Sequence, residues 1–271
     1  QSGDYSALTL KCINDPVLGS SEARNFGARF ATARWIAFID DDEKLPYHWV
    51  ERTLEIISNK APDIFGGPYH PYYMHGKPDW FKDQYLIQTL GANSQWVEDN
   101  RCLFGGSIVF KQAWFERLNG FSTQLGRTGH NKEYGEETEI QLRAHELGAR
   151  FYYDPDLYIF HYVHPERLVA NWYLSSGWYH GKAKAKITSE KSQQGISSFR
   201  YKLSLFRKVM LDILLVIRLY IGVLFRNQAM YPFRQNYIVE RFAPAVSVLG
   251  MSWHLLRLSF KRLLAGSKRS K

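Results

Sequence analysis

Along the first half of the chain, apolar residues come in short bursts whose spacing switches between that of a helix and that of a strand. "GSSEARNFGARFATA" (19–33) puts Ser20 or Ser21 where a helix cap belongs and sets Ala23, Phe26, Phe30 and Ala33 on a helical spacing. "WIAFI" (35–39) follows as an unbroken apolar run, which predicts a parallel strand buried on both faces. Three aspartates interrupt it. Pro46 then suits a helix first turn, with Trp49, Val50, Leu54 and Ile57 as its stripe. "DIFGG" (63–67) reads as another strand. Helix, strand, helix, strand is an α/β pattern.

Residues 68–100 are rich in Pro, Tyr and Trp and lack a period, which predicts a loop-dominated stretch. Beyond it, "SIVF" (107–110) reads as a strand, "QAWFERL" (112–118) as a helix and "NGF" (119–121) as its stop. "TGHNKEYG" (128–135) has loop composition. "TEIQLRAHELG" (138–148) reads as a helix with Gly148 just past its end, and "FYYDPDLYIFH" as strand, Asp-Pro turn, strand.

The last 73 residues differ in character. Residues 199–271 hold 14 Lys and Arg against only Asp212 and Glu240, a net +12, whereas residues 1–198 hold 21 against 24, a net −3. We therefore divide the chain into a slightly acidic body (1–198) and a basic helical tail (199–271). The longest apolar run of the tail, 209–225, is interrupted by Asp212 and Arg218 and falls short of the roughly 20 residues a membrane span needs. On a helical wheel its polar and basic residues, from Arg200 to Arg226, gather on one arc; only Lys202 strays. This is an amphipathic helix suited to an anionic membrane surface, or one packed on the body. A second helix is expected at about 245–265. Nucleic acid is a poorer partner, because stacking aromatics do not interleave the basic residues. Two cysteines 90 positions apart (Cys12, Cys102) rule out a Cys-rich zinc site and suit a reducing compartment.

Asp40, Asp41 and Asp42 lie at a strand's carboxyl end, where open α/β sheets collect ligands. Carboxylates packed this closely repel unless a cation or a proton sits among them. An Asp-x-Asp there can hold Mg²⁺ or Mn²⁺ and leave positions for water and phosphate oxygens; a solvated turn is the plain alternative. The preceding helix offers N–H groups for an anion, and Arg24 adds a fork of donors. Metal acids beside an anion-binding helix suggest a diphosphate. In "YGEETEI" (134–140), Glu136 and Glu137 either cap a helix or supply a general base.

"GSSEARNFGARFATARWIAFIDDDEKLPYHWVE", "GGSIVFKQAWFERLNGF" and "YGEETEIQLRAHELGARFYYDPDLYIFHYVHPERL" together resemble, in that order, the family 2 glycosyltransferases of GT-A fold, over about residues 14–186. The resemblance implies a Rossmann-like mixed sheet flanked by helices, and sugar transfer from a nucleotide diphosphate sugar to a sugar or lipid-linked acceptor. It makes Asp42 the ligand of a divalent cation, with Asp40 touching ribose or sugar and as a second metal candidate. Arg24 and Asn25 match the family's "ARN" and would line the nucleotide pocket. Gly105 and Gly106 would approach donor and acceptor closely. His161 would reach the diphosphate or metal, with His164 a weaker candidate. Glu137 stands where the family usually has Asp, which leaves Glu136 and Glu137 open as the base. The family normally opens with a strand–helix–strand unit holding much of the base pocket, and about thirteen residues precede "NDPVLGSSEARN" here. The corresponding expectation is a fragment that binds nucleotide weakly by itself. The tail extends the reading to an enzyme at the cytoplasmic, inner face of the plasma membrane, in a pathway such as polysaccharide assembly. Two competing readings are a non-catalytic membrane-surface module that keeps the fold, and a nucleotidyltransferase.

Overall fold

The computed structural model describes residues 9, 11–14, 17–98, 101–126, 134–191 and 199–267. In chain order the elements are α1 (Ser20–Ala28), β1 (Trp35–Ala37), β2 (Glu43–Lys44), α2 (Trp49–Lys60), β3 (Ile64–Gly66), β4 (Tyr69–Tyr72), β5 (Gln95–Val97), β6 (Ile108–Lys111), α3 (Gln112–Arg117), α4 (Glu136–Glu146), β7 (Phe151–Tyr153), β8 (Ile159–Tyr162), α5 (Ala170–Lys191), α6 (Phe199–Gly222), α7 (Arg234–Tyr237) and α8 (Ala243–Ser267); a π-helical turn, Ile238–Phe242, joins the last two.

A mixed sheet runs β1-β6-β3-β7-β5, with β3 and β7 parallel and the other pairs antiparallel; a smaller sheet runs β2-β8-β4. Strand alternation builds a core on each face of the large sheet. Ile64, Ile108, Phe110, Phe151 and Tyr153 point to one side, with Phe115 of α3 and Ile140 of α4. Phe65, Val109 and Tyr152 point to the other, with Trp49 and Ile56 of α2. Arg52 of α2 ties the sheet's end through a bidentate pair to Asp154, at 2.7 and 3.1 Å.

Several expectations need correction. "WIAFI" is not a doubly buried parallel strand: β1 lies at the end of the sheet among the described residues, antiparallel to β6, with Ile36 buried and Ala37 exposed. Its apolar residues still divide between the two faces: Trp35 packs on Phe65, while Ile36 and, beyond the strand, Phe38 join the opposite cluster, Phe38 against Phe110, Phe115 and Phe121. Neither serine caps α1; Gly19 occupies that position, while Ser20 and Ser21 bond to Glu136 and to the Leu125 carbonyl. Pro46 closes a turn ahead of α2, and Val50 and Leu54 face solvent because the buried face is set by Trp49 and Ile56. The 68–100 stretch contains β4 and β5, which at four and three residues are too short to register as a period. "TGHNKEYG" lies mostly outside the described residues.

The tail packs on the body. α8 lies along α5, and Leu205 and Val209 of α6 bury against Leu256 of α8. Contacts also cross position 198: Lys82 pairs with Glu240 at 2.6 Å, and Asn236 donates to the Trp80 carbonyl at 2.6 Å and to Tyr85 Oη at 2.7 Å. Among the described residues no helix is long and apolar enough to cross a membrane.

Candidate active site

A cleft of about 920 Å³ opens beyond the carboxyl end of β1, between the two sheets' edges, the start of α4 and the α5–α8 pair. Its floor is built by a tight reversal. Where β1 runs out, the Glu43 N–H donates to the Asp40 carbonyl at 3.2 Å, which folds the three aspartates into a turn and starts β2. β2 pairs with β8, placing Glu43 opposite His161, and the Tyr162 N–H donates to the Asp42 carbonyl at 2.8 Å. The aspartates are thus held by backbone on both sides of the turn.

Asp40 and Asp42 face different neighbours. Arg24 Nη2 donates to both Asp40 carboxylate oxygens, at 2.9 and 3.1 Å, and Nη1 donates to Glu137 at 3.0 Å and Glu136 at 3.4 Å. The Arg24 guanidinium of α1 therefore gathers three carboxylates, Asp40 from the β1–β2 turn and Glu136 and Glu137 from α4. Burial lowers the Arg24 pKa, but Glu137 and Asp40 outweigh it and the net shift is upward, so its charge is fixed. Asp42 Oδ2 instead lies 3.5 Å from both His161 Nε2 and His164 Nε2, and 3.9 Å from Arg167 Nη2. Burial, then Arg167, pushes the His161 imidazole down from its ordinary value, which favours the neutral, ligand-competent ring.

Glu136 and Glu137 separate clearly. Glu136 is buried and turned toward Ser20, whose hydroxyl donates at 3.2 Å. Glu137 keeps 30 % of its side-chain surface accessible yet sits deep against the cleft wall, where poor hydration, then the Glu136 charge, lift its pKa to about 7 against the pull of Arg24. Gly105 makes room for it: a Cβ there would stand 2.3 Å from Glu137 Cδ. At Gly106 the same atom would stand 1.9 Å from Glu43 Oε1. A side chain at either glycine would have to push the neighbouring carboxylate aside.

Of the residues singled out from sequence, Arg24, Asp40, Asp42, Gly105, Gly106, Glu136, Glu137 and His161 all line this cleft. Asn25 does not; its side chain bonds both backbone groups of Phe121, at 2.8 Å each, and fixes the turn after α3. Arg24 is engaged by acids, so it is not an open fork for an anion. Glu43 was hidden behind the aspartates. Its Oε2 accepts the Asp40 N–H at 2.8 Å and its buried Oε1 has no hydrogen-bond partner among the described residues, and burial, opposed by that hydrogen bond and aided by Asp40 and Asp42, raises its carboxyl to about 8. Arg167, Tyr69, Trp172 and Tyr173 also line the cleft without a sequence signal beyond their composition.

No three His, Cys, Asp or Glu side chains are gathered in ligand geometry among the described residues. The donor set still fits a hard divalent cation, since Mg²⁺ or Mn²⁺ needs one or two carboxylates and completes its shell with water and phosphate oxygens. Asp42 offers one such carboxylate, with His161 and His164 beside it at 3.5 Å; Asp40, occupied by Arg24, offers less.

Residues 9–118 match the sequence model described as Glycosyl transferase family 2. That match includes the aspartate turn and Gly105–Gly106 and ends before Glu136, Glu137 and His161. Among curated relatives, the chain is similar to a glucosyl-dolichyl phosphate glucuronosyltransferase of Haloferax volcanii, 28% identical over 188 residues, covering 67% of this chain and 59% of the relative. It is similar also to the succinoglycan biosynthesis protein ExoM of Rhizobium meliloti, 23% identical over 190 residues, covering 69% and 58%. The chain thus spans somewhat under two thirds of the length of these relatives. Among solved structures, the mannosyltransferase PcManGT of Pyrobaculum calidifontis, in complex with GDP-Man and Mn²⁺, aligns over 93% of this chain and 60% of its own at 13% identity and a TM-score of 0.44.

Proposed function

We propose that this cleft transfers a sugar from a nucleotide diphosphate sugar to an acceptor hydroxyl with inversion at the anomeric carbon. The observation that carries the reading is the placement of two acidic groups with different neighbours in one cleft. Asp42 with its two histidines forms one pole, and Glu137, poised near neutrality, forms the other. Asp42 and His161, joined by His164, would hold the cation; bound there, Mg²⁺ or Mn²⁺ supplies charge neutralisation to a departing diphosphate. Arg167, 3.9 Å from Asp42 Oδ2, stands where a phosphate oxygen would be held by its fork of donors.

Glu137 is the general base of this scheme. Its accessible carboxylate takes the proton of the acceptor hydroxyl as that oxygen bonds to the anomeric carbon, and the bond to the diphosphate oxygen breaks on the opposite face. Arg24 holds Glu137 and Asp40 in fixed relation, and Glu136, buried beneath, keeps the base's pKa up. The proximity of this pKa to neutral makes proton transfer efficient at ordinary pH. The relatives' printed names, one a dolichyl phosphate glycosyltransferase and the other a polysaccharide biosynthesis protein, make a lipid-linked acceptor the favoured class.

The reading is tested by titrating uridine and guanosine diphosphates into the chain by NMR, with and without Mg²⁺. Binding that strengthens with the metal, and an Asp42→Asn variant that loses this enhancement while keeping its fold, is the expected result. Metal-independent binding, equal in both proteins, overturns the metal pole.

A further inference from the structure

Helix α6 has three faces, where the sequence pattern suggested two. One is buried: Leu205 and Val209 pack on Leu256, Lys202 lies on the same side with its ammonium 5.7 Å from the Phe260 ring centre, and Asp212 is buried beside Lys208. A second face is apolar and open. Leu203, Phe206, Met210, Leu214, Ile217 and Ile221 recur every three or four residues, so they form one continuous strip, and each is 39–58% exposed. The third is basic and also open, with Arg200, Arg207, Lys208 and Arg218 along its length. Arg200, Arg207 and Lys208 line a shallow concavity of about 490 Å³ together with Leu203 and Leu211.

We propose that this outward side of α6 is a docking surface for an anionic lipid bilayer. A contiguous apolar strip of this extent on a folded protein marks an interaction site. Its occupant is set by charge. Of the two acids in 199–271, Asp212 is buried at the floor of that concavity beside Lys208, and Glu240 lies off α6, paired with Lys82, so the exposed charges described on the open side of α6 are all basic. A second copy of the same helix would bring its own basic row to the interface, and like charges oppose that pairing. A bilayer meets both needs at once: acyl chains take the apolar strip while anionic headgroups meet the flanking guanidinium and ammonium groups. At 24 residues α6 is about 36 Å long, and with one face already committed to α8 it lies along the surface instead of crossing it. This inference rests on α6 alone and is independent of the chemistry assigned to the cleft.

Sedimentation of the full chain with vesicles of phosphatidylcholine alone, and with phosphatidylglycerol added, tests it. The chain is expected to bind the anionic vesicles, to ignore the neutral ones, and to release as salt is raised. Leu214→Ala/Ile217→Ala/Ile221→Ala, which replaces exposed residues with a strong helix former, is expected to weaken binding at least tenfold with an unchanged circular dichroism spectrum. Should that variant misfold, Arg207→Gln/Arg218→Gln is expected to remove the preference for anionic vesicles. Failure of the chain to sediment with anionic vesicles, or sedimentation indifferent to both variants, overturns the proposal. So does a dimer in solution that the alanine variant dissolves, since the strip would then be covered by a second copy.

Discussion

Glu43 and Glu137 are the two carboxyls that burial lifts most, and they have opposite surroundings. Glu137 touches a guanidinium and opens to the cleft, whereas Glu43 has one buried oxygen beneath Gly106 with no partner among the described residues. A carboxyl raised from 4.5 to about 8 holds its proton more tightly in the folded chain than in the unfolded one. Its favourable contribution is therefore complete at low pH and is lost as pH climbs from its unfolded value to about 8. Glu43→Gln fixes the neutral form. Thermal unfolding should find the variant more stable than the parent sequence at about pH 9 and equal to it near pH 4; equal melting temperatures at both would show that Glu43 is not strained in this way. At this scale the aspartates, Arg24 and the glutamates were legible as motifs. Glu43 was not, because a fourth acid after three carries no pattern of its own. Nor was the role of Arg24, whose partners on α4 lie 112 and 113 positions away.

Among the elements, strands β3, β6, β7 and β8 and helices α3, α4 and α8 follow their sequence patterns because each has a short continuous apolar run, a single buried stripe or a clean stop. α5 escaped the sequence because it is surrounded. Ala183, Ala185, Ile187 and Ser189 are buried on successive sides, so no single apolar stripe develops. Small residues let α8 approach it. A Cβ at Gly181 would stand 2.1 Å from the Ser247 carbonyl oxygen, a backbone atom that cannot step aside without moving the helix. Gly181→Ala should lower stability by about 1–3 kcal/mol despite alanine's better helix propensity. Ser176, Gly177, Ala243 and Ser247 line the cleft from these same helices, so the loss would reach the site. An unchanged or raised unfolding midpoint in urea would mean that the two helices are less tightly joined than this geometry requires.

For the whole molecule, the split into an acidic body and a basic tail describes charge more than architecture. α5, α8 and the π-helical turn close one wall of the cleft, while α6 packs behind α8 and turns its basic and apolar sides outward. Membrane docking through α6 and sugar transfer in the cleft are thus assigned to opposite layers of one helical arrangement. The central claim concerns proton removal by Glu137, and transfer kinetics over a pH range test it most directly. With any nucleotide diphosphate sugar that supports turnover, the rate should fall as pH drops below about 7, because the base is active only when ionised. Glu137→Gln should lower kcat by about 10²–10⁴-fold with little change in donor KM, and Glu136→Gln should lower it less. Turnover by Glu137→Gln at the rate of the unaltered chain, with the same pH profile, would contradict the account.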